Sequence, residues 1–132
     1  MSDIKLGVQL YTLRDKCQNA EDFETTLKFL QSIGCDVIQI SAIGDIHPEI
    51  VAELVEKYNM DVCVTHKSYD RMKNDLDALI QEHNLIHCDN IGIGAMPGNV
   101  HESFEGVSGF IQKCNEIGAK MNKAFKGKYT FA

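Results

Sequence analysis

The stretch "VCVTHKSYDRM" places a histidine, His66, directly after an apolar run, where a β-strand would give way to a loop. An imidazole there can hydrogen-bond a substrate hydroxyl or phosphate, and near neutral pH it can move a proton. The same residue is equally readable as a structural histidine, satisfied by a nearby carbonyl or capping the next helix. Tyr11 and Arg14 follow the first apolar run. A phenol there could close a ligand pocket and a guanidinium could pair with a phosphate, while ordinary packing and a surface contact with Asp15 account for them as well. Gln39 sits inside the apolar strand "DVIQIS", where an amide either binds a hydroxyl or fills an inward-facing position.

Other suggestive motifs carry less. The glycines of "IGIGAMPG" fit neither the dinucleotide fingerprint nor the phosphate loop with its lysine. Gly92 and Gly94 read instead as small residues beside large neighbours inside a sheet. His83, His87 and Cys88 are ligand types, but their spacing matches no established zinc site. Ser68, ahead of Asp70 and Arg71, reads as a helix N-cap, and His47 beside Pro48 occupies the same place for an earlier helix. His83, His87 and His101 fall in or near loops and receive no role.

These residues are positioned by alternating strand and helix signals. Strands are expected over residues 5–11, 36–41, 60–66 and 89–96, and a last one in the terminal "YTFA". The first helix has Asn19 as N-cap, acids in its first turn, Phe23, Leu27 and Leu30 on one face, and Gly34 as its stop. The second has Pro48 at its first position, an apolar stripe of Ile50, Val51, Leu54, Val55 and Tyr58, and Asn59 as its end. The third runs from about Asp70 to His83 and buries Met72, Leu76, Leu79 and Ile80. The fourth runs from about Phe104 to Phe125, with Phe104, Val107, Ile111, Cys114, Met121 and Phe125 along one side. Four βα units and a fifth strand result. Apolar members on both sides of the strands suggest parallel strands covered on both faces. Two architectures follow: an open flavodoxin-like sheet, or part of a (βα)₈ barrel, which needs about 250 residues.

Composition narrows the partners. Thirteen basic and nineteen acidic side chains give a net charge of -6 with no basic face, which argues against nucleic acid. No apolar run approaches the ~18 residues of a membrane span, so no membrane partner is expected. The N-terminus lacks a secretory pattern, and the odd set of five cysteines contains no CxxC pair. A reduced, cytoplasmic protein is the expectation, with several of the cysteines serving as core packing.

The segments "KLGVQLYTLRD", "IGCDVIQISAIG", "VCVTHKSYDRM" and "CDNIGIGAMP" together resemble, in order and spacing, the sugar phosphate isomerases and epimerases with a xylose isomerase-like TIM barrel. The resemblance covers nearly the whole chain and only the N-terminal half of such a barrel. It implies an α/β fold of (βα)4 plus a fifth strand, with residues 1–132 as a single partial TIM-barrel domain. It further implies metal-assisted proton transfer beside the carbonyl of a sugar or sugar phosphate in full-length relatives. That family holds one divalent metal through a Glu, an Asp, a His and a second Glu on strands of the other half, the first of which would fall beyond Ala132. The resemblance therefore implies no catalytic residue, no metal ligand and no cofactor within this chain, which is expected to be truncated and inactive alone. His66, Tyr11, Gln39 and Arg14 are the expected substrate-binding positions. The alternative is a non-enzymatic half-barrel that self-associates or binds a partner through its open sheet edges. A third reading, an open sheet binding a phosphorylated ligand, has Arg14 and Lys16 in its first loop but no glycine there.

Overall fold

A computed structural model describes residues 4–124 and the backbone of Thr130–Phe131. Strand β1 (Val8–Gln9) turns at once into a 3₁₀ segment, Leu10–Lys16, and then into α1 (Ala20–Ser32). The expected strand over residues 5–11 is thus shorter, because local bonds take over. The Thr12 hydroxyl donates to the Gln9 carbonyl at 2.8 Å and Cys17 N–H to the Arg14 carbonyl at 3.0 Å. Asn19 caps α1 as expected, its side chain accepting from Asp22 N–H at 2.9 Å. Strand β2 (Val37–Ile40) leads to α2 (Pro48–Lys57), and β3 (Asp61–His66) to α3 (Tyr69–Asn74) and α4 (Leu76–Leu85). Strand β4 (Asn90–Gly92), α5 (Phe104–Ala124) and β5 (Thr130–Phe131) complete the described chain.

All four strand pairings are parallel, and the order is β1-β2-β3-β4-β5. Right-handed crossovers that always step to the next strand in the same direction put every helix on one face. A flavodoxin-like sheet reverses direction at a switch point and carries helices on both faces. No reversal occurs here, so the open-sheet alternative gives way to the barrel topology. The expectation that both sheet faces are covered is corrected with it. Leu10, Ile38, Ile40 and Val62 pack under the helices, while Gln9 and Cys63 are exposed on the concave face.

Four further expectations change. The helix over residues 70–83 breaks at Asp75 (φ -143°, ψ 38°), where Asn74 and Asp75 pair two poor helix formers. The strand over residues 89–96 pairs only across Asn90–Gly92, since the glycines and Pro97 that follow weaken a ladder. In α5, Phe104 (86% exposed) and Ile111 (53%) face away, and the packed side is instead Phe110, Cys114, Ile117 and Met121. Cys114 and Met121 of the expected stripe do pack, while Phe110 and Ile117 stand on that side in place of Phe104 and Ile111. Ile50 on α2 is likewise exposed. Phe125, the turn at Lys126, Gly127 and Lys128, and Tyr129 and Ala132 of the terminal strand lie outside the described residues.

The helix-facing core has two parts. Phe23, Leu27, Leu30, Ile38, Val55 and Val62 form one, and Met72, Leu79, Ile80, Ile91, Ile117 and Met121 the other. Each fully buried side chain of this size contributes about 1.5–3 kcal/mol. Between them lies a polar tie, Thr65 to His83. His83 had no expected role, yet it is 1% exposed on the inner side of α4. Its Nδ1–H must donate to the Leu79 carbonyl (2.7 Å), so Nε2 accepts from the Thr65 hydroxyl (2.6 Å). Burial holds the ring neutral, its pKa lowered from 6.5 to about 4.

The folded pKa lies below the unfolded one, so the unfolded chain binds more protons between those values. Stability should therefore be intact above pH 6.5 and fall by up to about 3 kcal/mol as pH drops toward 4. Urea unfolding at stepped pH should show this slope, and His83→Gln should lose most of it while costing about 1–3 kcal/mol at pH 7. A wild-type profile flat from pH 6.5 to 5 would contradict the assignment.

Candidate functional site

The chemistry-bearing residues meet because of a register change. Ile38 pairs with Val62, but the next residue, Gln39, pairs with Val64, leaving Cys63 as an extra residue in β3. A strand alternates faces at every residue, so one inserted residue reverses all that follow. Val62 and Thr65 both turn to the helices, and His66 turns to the concave face. Unbroken alternation from buried Val62 would have sent His66 toward the helices instead.

On the concave face His66 meets Gln39. The Gln39 amide nitrogen lies 2.8 Å from His66 Nε2, and Ser41 Oγ lies 3.4 Å from Nδ1. With the amide donating, Nε2 accepts and the ring proton sits on Nδ1, toward Ser41. Gly94 forms the floor beside the ring, since a Cβ there would lie 3.4 Å from Nδ1. This gives the reading of Gly94 as a small residue beside a large one a specific partner. Gln9 pairs in register with Gln39, and Gly92 with His66, so an amide, a second amide and an imidazole run across three neighbouring strands. His66 is therefore satisfied by side chains, neither by a carbonyl nor as a helix cap. The cap of α3 is Ser68, whose Oγ accepts from Arg71 N–H at 3.2 Å. His47 does take the N-cap position of α2, without a side-chain bond.

The arrangement suits recognition of hydroxyl groups. An amide engaged through one N–H keeps its oxygen and its second N–H for a ligand, and the imidazole and hydroxyl extend that donor and acceptor row. A carbohydrate hydroxyl both donates and accepts, so such a row can grade its orientation. The imidazole's Nε2 is already engaged, which makes His66 a positioning group in this state.

Tyr11 and Arg14 are brought to each other. The Arg14 guanidinium carbon lies 4.5 Å over the Tyr11 ring, and Nη1–H donates to the Tyr11 carbonyl at 2.9 Å. No described hydrogen bond or ring contact links this pair to Gln39 and His66. Sequence reasoning missed a second constellation behind the sheet, where Lys67 nears the Arg71–Glu82 ion pair and His83. The available signal was the spacing of Leu76, Leu79, Ile80 and His83, which places the histidine on the buried side of its helix.

No protein-family model and no curated protein matches the sequence. Among solved structures, a sugar phosphate isomerase/epimerase from Parabacteroides distasonis superposes with a TM-score of 0.63 at 17% identity, covering 99% of this chain and 52% of that one. An AP endonuclease of family 2 from Brucella melitensis superposes with a TM-score of 0.61 at 11% identity, covering 83% of this chain and 48% of that one. The chain thus spans about half the length of the solved structures it matches. At these identities the likeness establishes the fold alone: these residues build a parallel α/β arrangement equivalent to about half of a TIM barrel.

Proposed function

We propose that residues 1–132 form the substrate-recognising half of a sugar or sugar phosphate isomerase/epimerase, with carbohydrate hydroxyls received by Gln39, Ser41 and His66. The observation that supports this most is the Gln39–His66 contact at strand C-terminal ends, where TIM barrels carry their active sites. Tyr11 and Arg14, in the loop after β1, are proposed to close the same pocket in the assembled barrel. The protein is proposed to work in the cytoplasm, a reading supported by an odd set of five cysteines with no CxxC pair. No helix among the described residues is long and apolar enough to cross a membrane.

The divalent ion implied by the fold family does not fit the donors present. His66 and Gln39 are bonded to each other, and no three His, Cys, Asp or Glu side chains converge among the described residues. Proton transfer beside a carbonyl needs carboxylates that these residues do not bring together, so the half-barrel is proposed to be inactive alone. The mass of the species made in the native host tests this. The reading predicts a mass near twice 14.8 kDa, and a 14.8 kDa species that isomerises sugar phosphates unaided would overturn it.

One observation favours a second reading, in which the half-barrel pairs with another copy of itself. Among the described residues strand β1 has a neighbour on one side only, and Ile4 and Leu6 just before it are 81% and 84% exposed. An unpaired edge flanked by bare apolar side chains invites association. Light scattering of the purified 132-residue chain should find a dimer or larger species, and Leu6→Glu should shift it toward monomer. A clean monomer for the wild type at tens of micromolar would eliminate this reading.

A further inference from the structure

On the helix-facing side of the sheet, opposite His66, a cavity of about 390 Å³ opens between α2 and α4. One wall is apolar, formed by Ile40, Ile43, Ile46, Val51 and Ile86. The other is polar, formed by Thr65, Lys67, Arg71, Glu82 and His83, with Asp45 at the rim.

Nearly every polar group on that wall is already matched. Arg71 grips Glu82 through both terminal guanidinium nitrogens, with Nη1 to Oε2 at 2.8 Å. Thr65 and His83 satisfy each other and the Leu79 carbonyl. Lys67 differs. Its backbone N–H donates to the Gly92 carbonyl at 2.9 Å, but its ammonium group makes no hydrogen bond or ion pair among the described residues. Burial pushes its pKa down, and the nearby Glu82 carboxylate, itself gripped by Arg71, offsets only part of that. A desolvated ammonium beside apolar surface is costly unless a counter-charge reaches it.

The wall chemistry selects the counter-charge. A phosphate dianion needs several free donors, and Arg71 is committed to Glu82. An ammonium with no direct hydrogen bond or ion pair among the described residues, in a cavity with five branched aliphatic side chains, matches a single negative charge carried on a hydrocarbon body. The Gly44 turn that holds the rim is rigidly placed: its N–H donates to the Cys17 carbonyl at 2.8 Å, and a Cβ at Gly44 would lie 1.9 Å from the Gln18 carbonyl oxygen. We propose that this cavity is a binding site for a small aliphatic carboxylate, its carboxylate paired with Lys67 and its branched body lying against Ile40, Ile43, Ile46 and Ile86. The site stands on the opposite face from the sugar-recognition residues and is independent of that reading.

The test is a nuclear magnetic resonance titration of the wild-type chain with three probes: 4-methylpentanoate, the uncharged 4-methylpentan-1-ol, and inorganic phosphate. The carboxylate should bind saturably, shifting resonances of Thr65, Lys67 and His83, with the other two at least about tenfold weaker. Lys67→Met, with folding checked by circular dichroism, should weaken the carboxylate by about tenfold or more, and Lys67→Arg should retain much of the binding. Absence of saturable carboxylate binding, equal binding of the alcohol, or tighter binding of phosphate would each overturn the proposal. The three-probe comparison needs no variant, so it decides the matter even if Lys67→Met does not fold.

Discussion

The extra residue in β3 is the constraint on which the rest depends. With Cys63 inserted opposite the Ile38–Gln39 step, Thr65 and His66 exchange faces. Thr65 then reaches His83 and ties the sheet to α4, while His66 reaches Gln39 on the concave side. Without the insertion, an imidazole would point into the helix-facing core and a threonine would point into the barrel. Bulges rarely occur in parallel sheets, and they recur beside active sites because they re-aim a side chain without moving the strand.

A second consequence concerns which surfaces this half-barrel leaves open. A sheet whose crossovers all run one way buries apolar residues under its helices and offers its other face to the barrel interior. The described residues follow that division: Ile38, Ile40, Val62 and Ile91 are covered, whereas Gln9, Gln39, Cys63 and His66 line the concave face. The covered side holds both parts of the core. Cys17 and Cys88 belong to it as packing residues, and burial pushes the Cys88 thiol up to about 11, out of the range of ready ionisation. The concave side is polar because a ligand and the facing strands, rather than more apolar side chains, complete a barrel's interior at its working end.

Much of this was legible in the sequence, for identifiable reasons. Helix caps announce themselves locally, so Asn19, Pro48 and Ser68 could be placed from a few residues each. The order of βα units carried the architecture, and the strand-end position of His66 could be read from the apolar run before it. What stayed hidden depends on contacts between distant residues. The bulge is a matter of register between β2 and β3, which alternation within one strand does not encode. The exposed Phe104 and Ile111 show the same limit on α5, where the packed face is chosen by Tyr69, 5.0 Å from the Phe110 ring, as much as by the helix's own stripe. His83 was passed over because a histidine near a helix end looks like a loop residue until the packing of α4 against β3 is known.

The most direct test of the central claim, that the bulge builds a hydroxyl-recognition row on the concave face, is a nitrogen-15 titration of the His66 ring and the Gln39 side-chain amide with aldose and ketose phosphates. The account predicts saturable shifts of the Gln39 amide and of His66 Nε2 ahead of any change at His83. If neither group moves at saturating sugar phosphate in a folded chain, or if only helix-face resonances respond, the claim is contradicted.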